Sequence, residues 1–301
     1  MESVAAGPKK HASVKHRIQR VFWRLISVFP DKIYLTWKYF SIFGRFPDWK
    51  SPVRFSEYQQ IRKLEDRNPL YSKVVDKADA KEYISERVGT TVVIPTFWVG
   101  TDLATVDWNA VSLPAVVKPT HASGAGYFLR EQSDIDALMR QRPEAQWLSA
   151  DHSRINREWA YSNVEPRIII EKCIGAPGEL LSDYRFYSFN GNVVHIEVRT
   201  PRPDGMYESV YSPDWEQLPV HMDYYPLLAD ELPKPEKYED MLEIARSLSR
   251  ELGFARVDLY NTSEGIFVGE ITLYPSGGFE RFVPDSYDLK LARYWNEFVT
   301  R

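Results

Sequence analysis

At 301 residues and 35.1 kDa the chain can bury about three quarters of its unfolded surface, so it needs no disulfide or metal staple. Its composition, 44% hydrophobic and 27% charged with 15 Gly and 20 Pro, excludes collagen, a mucin-like stalk and a fully disordered chain. The net charge of −4 hides an asymmetry: residues 1–50 hold ten Lys or Arg against three Asp or Glu, a balance of +7, which leaves −11 for the remainder.

The single cysteine, Cys173, forbids an internal disulfide framework and a thiolate-rich metal cluster, and a reducing compartment such as the cytoplasm is its simplest home. No run of 18 uncharged apolar residues is present to span a bilayer, and no signal peptide is readable. In the basic head, Val14, Ile18, Val21, Phe22, Leu25, Ile26 and Phe29 recur at helical spacing between Lys15, Arg17, Arg20 and Arg24. Such a helix either lies peripherally on an anionic membrane face, meets a biosynthetic partner protein, or packs on its own domain. Nucleic acid is not an expected partner, because the body is acidic and no nucleic-acid-binding pattern accompanies the head.

Pro30, Pro47, Pro52 and Pro69 break the first 70 residues into helices, and "KADAKEYISERVG" predicts a further helix closed by Gly89. The runs "TVVIPTF", "PAVVKPT" and "YFLRE" read as short strands, and "QSDIDALMRQR" as a helix. Next come the strand "RIIIEKCIG" and the hairpin "DYRFYSFNGNVVHIEVRT", turning at Asn190-Gly191. The segment "PRPDGMYESVYSPDWEQLP" reads as irregular. Tyr238, Met241, Leu242, Ala245, Leu248 and Leu252 form the best helical stripe, ended by Gly253; the strands "FARVDLY" and "IFVGEITLY" follow, separated by a polar "NTSEG" turn. The pattern is α+β with antiparallel hairpins.

The last hairpin carries the clearest chemistry. Asp258 and Glu270 are carboxylates inside strands whose neighbours want burial, with Arg256 and Thr272 two positions away on their respective strands. Facing carboxylates repel, so they need a shared proton or a cation such as Mg²⁺; pairing of Arg256 with Asp258, with Glu270 at a solvated strand edge, is the alternative. In "AVVKPTHASGAGYFL", Lys118 ends a strand before a small-residue loop whose backbone N–H groups can approach an anion, although by themselves these residues read first as an ordinary hairpin connection. The run "IIIEKCIG" could pass a nucleobase or simply be a core strand, with Cys173 a small buried hydrophobe.

The order of these elements resembles that of the ATP-grasp fold. More narrowly, "DRNPLYSKVVDK", "VVKPTHASG", "RIIIEKCI", "DYRFYSFNG", "FARVDLYN" and "GEITLYPSGGF" together resemble the TupA-like ATP-grasp proteins of bacterial polysaccharide and teichuronopeptide synthesis. The resemblance implies two α+β subdomains clasping ATP within residues 51–301, preceded by a helical basic segment over 1–50. It further implies that Lys118, His121, Ser123, Gly124 and Gly126 meet the phosphates, and that Glu171, Lys172 and Cys173 border adenine and ribose. Asp258 and Glu270 would hold Mg²⁺ and Arg256 would stabilise developing charge. Arg199 and Arg202 are candidates to hold an acceptor carboxylate, with surface cations as the alternative.

The implied activity is ATP- and Mg²⁺-dependent ligation of a carboxylate, such as that of a uronic acid, to an amine or amino acid. It would serve capsule, lipopolysaccharide or related polymer synthesis at the cytoplasmic side of the inner membrane. A sugar phosphotransferase of the same fold and a nucleotide-binding scaffold are the competing readings.

Overall fold

A computed structural model describes residues 28–122, 124–175 and 179–300. The chain separates into two compact units, Met1–Pro47 and Asp48–Arg301. Apart from residues 28 and 29, the expected helix over 14–29 lies outside the described residues. In the first unit, helix α1 (Asp31–Phe43) starts after Pro30 and stops at Gly44, whose left-handed backbone lets its N–H bond the Phe40 carbonyl.

The second unit opens with α2 (Phe55–Glu65), α3 (Leu70–Val75) and α4 (Ala80–Val88), the last ending at Gly89. There follow β1 (Thr96–Gly100), β2 (Ala115–Pro119), β3 (Tyr127–Leu129), α5 (Gln132–Gln141), α6 (Glu144–Leu148), α7 (His152–Asn156) and β4 (Ile168–Lys172). These strands form an antiparallel sheet in the order β1-β4-β2-β3, packed through Val117, Leu129, Leu138 and Ile170. The run "TVVIPTF" is only partly a strand: Thr90–Val92 is a 3-10 turn and β1 begins after Pro95, which has no N–H to give a ladder.

The second sheet comprises β5 (Asp183–Phe189), β6 (Asn192–Arg202), β7 (Gly205–Tyr211), β9 (Phe254–Thr262) and β10 (Gly265–Thr272), in the order β10-β9-β5-β6-β7. Interleaved with it in the chain are β8 (His221–Met222) and α8 (Tyr238–Ser249); β11 (Phe282–Val283), paired with β8, and α9 (Ser286–Phe298) complete the unit. Asn190 and Gly191 both take positive φ, as a tight hairpin turn with the sheet's twist requires. The segment expected to be irregular instead supplies the end of β6 and all of β7. Its Pro and Gly mark a tight hairpin turn, not a loss of strand. Likewise the "NTSEG" turn shrinks to Ser263-Glu264, because the ladder runs on to Thr262 opposite Gly265.

One face of the five-stranded sheet is apolar: Phe186, Ile196, Val198, Val257, Leu259 and Ile271 join Met241, Leu242, Ala245 and Leu248 of α8 in the largest core. Helix α2 fastens the ends of β9 and β10. Buried Arg62 donates to the carbonyls of Leu252, Phe254 and Leu273 at 2.6, 2.8 and 3.1 Å and lies over the Tyr71 ring.

The β9–β10 ladder contains one irregularity that decides which way its carboxylates point. Val268 pairs with Leu259, but the next paired residue, Glu270, faces Asp258, so Gly269 is an extra residue in β10. A one-residue bulge reverses the face of everything beyond it. Without it Glu270 would stand opposite Val257, in the apolar core; with it Glu270 meets Asp258, and Thr272 meets Arg256, on the opposite face. Gly269 has no room for a side chain, since a Cβ there would stand 2.7 Å from the Tyr260 ring. Gly269→Ala should therefore cost about 1–3 kcal/mol of overpacking, read by chemical denaturation. An Ala variant as stable as the parent would show that Tyr260 yields freely.

Candidate active site

The polar face of the five-stranded sheet carries a lattice of carboxylates and arginines. Across one rung run Glu270, Asp258, Arg185 and Glu197; across the next but one run Tyr260, Asp183, Arg199 and Glu208. Arg256 and Tyr187 lie between them and the far edge. Arg256 donates to both carboxylate oxygens of Asp258, at 2.7 and 2.6 Å, and to Glu270 Oε1 and Thr272 Oγ1 at 3.2 and 3.1 Å. Arg185 donates to Asp183 at 2.7 Å and lies 3.8 Å from Asp258 and 3.7 Å from Glu197. Arg199 Nε donates to Glu197 at 2.5 Å, and its guanidinium covers the Tyr225 ring.

Beside this lattice opens a cleft of about 480 Å³, open solvent included, with lining residues from the end of α3, α4, the Val93-Ile94 segment, β4 and β10. Val74, Val75, Ile84, Val93, Ile94, Val268 and Ile271 give it apolar walls, while Lys77, Lys81, Glu171 and Glu270 supply its charges. Glu171 is buried and ion-paired both to Lys118 from β2 and to Lys81 from α4, the latter at 3.1 Å. Burial alone would push Glu171 up, but these two lysines hold it below the usual carboxylate range. Lys77 donates to the Ala122 carbonyl at 2.7 Å, tying the approach to α4 to the loop after β2; burial pushes its ammonium down, against Glu270.

The expected site residues do not all come together. Asp258, Glu270 and Arg256 form one ion-paired constellation, and Lys118 and Glu171 form another across the first sheet. His121 is buried after β2, where desolvation lowers its pKa, and Gly124 and Gly126 lie in the β2–β3 loop; Ser123 is outside the described residues. At Gly126 a Cβ would sit 3.2 Å from the Val117 carbonyl, so this loop hugs β2. Lys172 pairs with Glu264, and its N–H and that of Cys173 bond the Pro95 and Pro114 carbonyls. The Cys173 thiol is pushed up by burial. Arg199 belongs to the charge lattice, whereas Arg202 sits exposed at the tip of the β6–β7 hairpin, opposite Gly205.

Several residues of the site escaped the sequence reading. Lys77 and Lys81 recur four apart in "DKADAKEY", where the sequence offers a family motif ending at Lys77 and a helical pattern but no site. Arg185, Glu197 and Glu208 alternate within their strands, the signature of a polar sheet face. Glu280 is buried beyond "PSGG", accepting a hydrogen bond from Tyr187 at 2.7 Å.

The residues present fit a divalent cation that arrives with phosphate. Burial raises Glu270, but Lys77, Arg256 and Arg185 outweigh it and bring its pKa down to about 2, so it is a fixed anion lining the cleft. Burial pushes Asp258 up, and Arg256 and Arg185 oppose that push. Thr272 donates its hydroxyl to Glu270 at 3.0 Å, orienting the carboxylate. Among the described residues no group of three or more His, Cys, Asp or Glu forms a cage. Two carboxylates completed by phosphate oxygens and water suit Mg²⁺.

With this geometry the chain belongs to the TupA-like ATP-grasp family, whose model matches residues 57–296. Solved structures similar to it include D-alanine–D-alanine ligase from Bacillus anthracis complexed with ATP, 14% identical, covering 68% of this chain and 56% of that one with a TM-score of 0.41. The Helicobacter pylori D-alanine–D-alanine ligase is 15% identical, covering 80% and 67% with a TM-score of 0.40. The ATP-grasp ligase PsnB complexed with minimal precursor is 13% identical, covering 68% and 54% with a TM-score of 0.40. The chain therefore spans little more than half the length of the first and last of these, and its family membership rests on the family model. No curated protein matches the chain significantly.

The lattice has a pH signature. Burial and the neighbouring Glu197 push Glu208 up to about 8, while Arg185, Arg199 and Arg256 overcome burial to hold Glu197 low. Unfolded, Glu208 would lose its proton near 4.5; folded, it keeps it to about 8. Between those values the folded state binds more protons, so this contribution to stability is complete below the lower pKa and is lost as pH rises through the upper one. Glu208→Gln should flatten that loss when urea denaturation is compared at the two ends of the window. An unaltered slope would place the proton elsewhere.

Proposed function

We propose that this protein is an ATP- and Mg²⁺-dependent ligase that joins a carboxylate to an amine through an acyl phosphate. Its substrate would be sugar-containing, a uronic acid in the first instance, within cell-surface polysaccharide biosynthesis. The observation that carries the reading is the in-register pair Asp258 and Glu270 at the edge of a lysine-lined cleft, in a chain of the TupA-like ATP-grasp family.

The apolar walls suit a purine; Lys77 in the cleft, Lys118 ion-paired to the cleft's Glu171, and the β2–β3 loop that Lys77 bonds at Ala122 suit its phosphates. Mg²⁺ held by Asp258 and Glu270 supplies neutralisation of phosphate charge. An acceptor carboxylate oxygen attacks the γ-phosphorus, the bond to the β–γ bridging oxygen breaks, and ADP leaves with that electron pair. The amine nitrogen then attacks the acyl carbon; the carbon–oxygen bond to phosphate breaks and the nitrogen gives up a proton as the amide forms. Arg256, gripped by Asp258, stays beside Glu270 where negative charge accumulates. Arg199, on the same sheet face, is the better placed arginine for an acceptor carboxylate, and Arg202 at the hairpin tip would reach only the far end of a long acceptor.

Asp258→Asn and Glu270→Gln should each weaken Mg²⁺-dependent ATP binding by about 10- to 100-fold in calorimetry while leaving the fold intact. Lys118→Ala should weaken ATP binding or slow turnover, and unchanged values of both would remove it from the site. Incubation with ATP, uronic acids and amines should yield ADP, phosphate and an amide in equal amounts. Phosphate retained on the sugar without an amide would assign a phosphotransferase, and ATP binding without turnover of any acceptor would assign a scaffold.

A further inference from the structure

Helix α1 has two faces of opposite character. Leu35 and Tyr39 are fully buried and Tyr34 nearly so. On another side Ile33, Trp37 and Phe40 follow one another at spacings of four and three, which stacks them into one stripe, and Phe29 stands just before the helix. After the turn at Gly44, Phe46 folds back so that its ring lies 4.6 Å from Phe40 and 5.9 Å from Trp37. Phe29, Ile33, Trp37, Phe40 and Phe46 are 39% to 56% exposed. A contiguous patch of large aromatic side chains in water marks a surface that meets something.

The charge around it says what. The patch lies in the part of the chain that carries +7 against −11 for the remainder, and over residues 28–47 themselves Lys32, Lys38 and Arg45 stand against Asp31, a balance of +2. A second copy of this chain would bring like charge to the same place. At 13 residues the helix is too short to cross a bilayer, and no described helix is long and apolar enough to do so. We propose that the aromatic stripe of α1 docks on the surface of a bilayer rich in anionic phospholipids. Trp37 would sit at headgroup depth, Ile33, Phe40 and Phe46 would enter the acyl boundary, and the basic residues would meet lipid phosphates. The surface would hold the enzyme where a lipid-anchored acceptor is presented, but the docking itself does not depend on the ligase reading.

The test uses the full chain and vesicles of phosphatidylcholine, pure or with about 30% phosphatidylglycerol, in a sedimentation assay. Binding should favour the anionic vesicles by about 10-fold or more and fall as salt screens the charges. The triple variant Trp37→Ser, Phe40→Ser, Phe46→Ser should lose about 10-fold in vesicle binding, since large apolar area leaves the interface, while keeping its circular dichroism spectrum and ATP affinity. Equal or negligible binding to both vesicle types would overturn the proposal. So would a triple variant that binds as the parent does, because the basic residues alone would then explain the affinity. Parent chain that sediments as an oligomer broken by the triple substitution would assign the stripe to a second copy instead.

Discussion

Gly269 is the point on which the site turns. A strand alternates its side chains without exception, so a hairpin that buries Val268 and Ile271 in one core cannot also present Glu270 to the opposite face beside Asp258 unless one residue is added to the ladder. The bulge is that residue. It resolves a conflict between packing and chemistry within one strand: the apolar set on both sides of it joins the largest core beside α3 and α4, and the polar set beyond it joins Arg256 and Asp258.

The rest of the sheet makes the arrangement tolerable. Isolated ions in such a place would be costly, since removing a carboxylate from water costs several kcal/mol after relaxation. Here acids and arginines share one face across β10, β9, β5, β6 and β7, so Glu270, Asp258, Asp183, Glu197 and Glu208 each have an arginine within 4 Å. Such a lattice is weak evidence for stability, but Arg256, held by Asp258, Glu270 and Thr272 together, has its rotamer fixed. The cleft follows the same logic on the other sheet, where Glu171 fixes Lys118 and Lys81 beside the cleft. Ions held before a ligand arrives need little reorganisation when phosphate charge enters.

Much of this was legible in the sequence, and the omissions have physical causes. The α8 stripe, the Asn190-Gly191 turn and the carboxylate pair all follow from periodicity or turn chemistry, which are local. The register of β9 and β10 is not local. Yet it left a trace, since the apolar residues Ile266 and Val268 change phase to Ile271 and Leu273 across Gly269, and a lone glycine inside a strand is a bulge signal. Strand β7 was hidden by Pro203, Asp204 and Gly205, whose punctuation closes a hairpin. Lys77, in the turn before α4, and Lys81, on its first turn, look like ordinary surface lysines until the fold brings the Ala122 carbonyl to one and Glu171 to the other. Helix α9, joined to α2 through Asp288 and Ser56 at 2.7 Å, follows the segments that carried the chemistry and was not read at all.

The central claim is that the bulge exists to place two carboxylates on one cation. Anomalous diffraction from crystals of the MnATP complex addresses it directly. A single strong anomalous peak is expected, bounded by oxygens of both Asp258 and Glu270 at about 2.0–2.3 Å, with the nucleotide phosphates completing the shell. A metal ligated by neither carboxylate, with Asp258 and Glu270 still closed on Arg256, would contradict it.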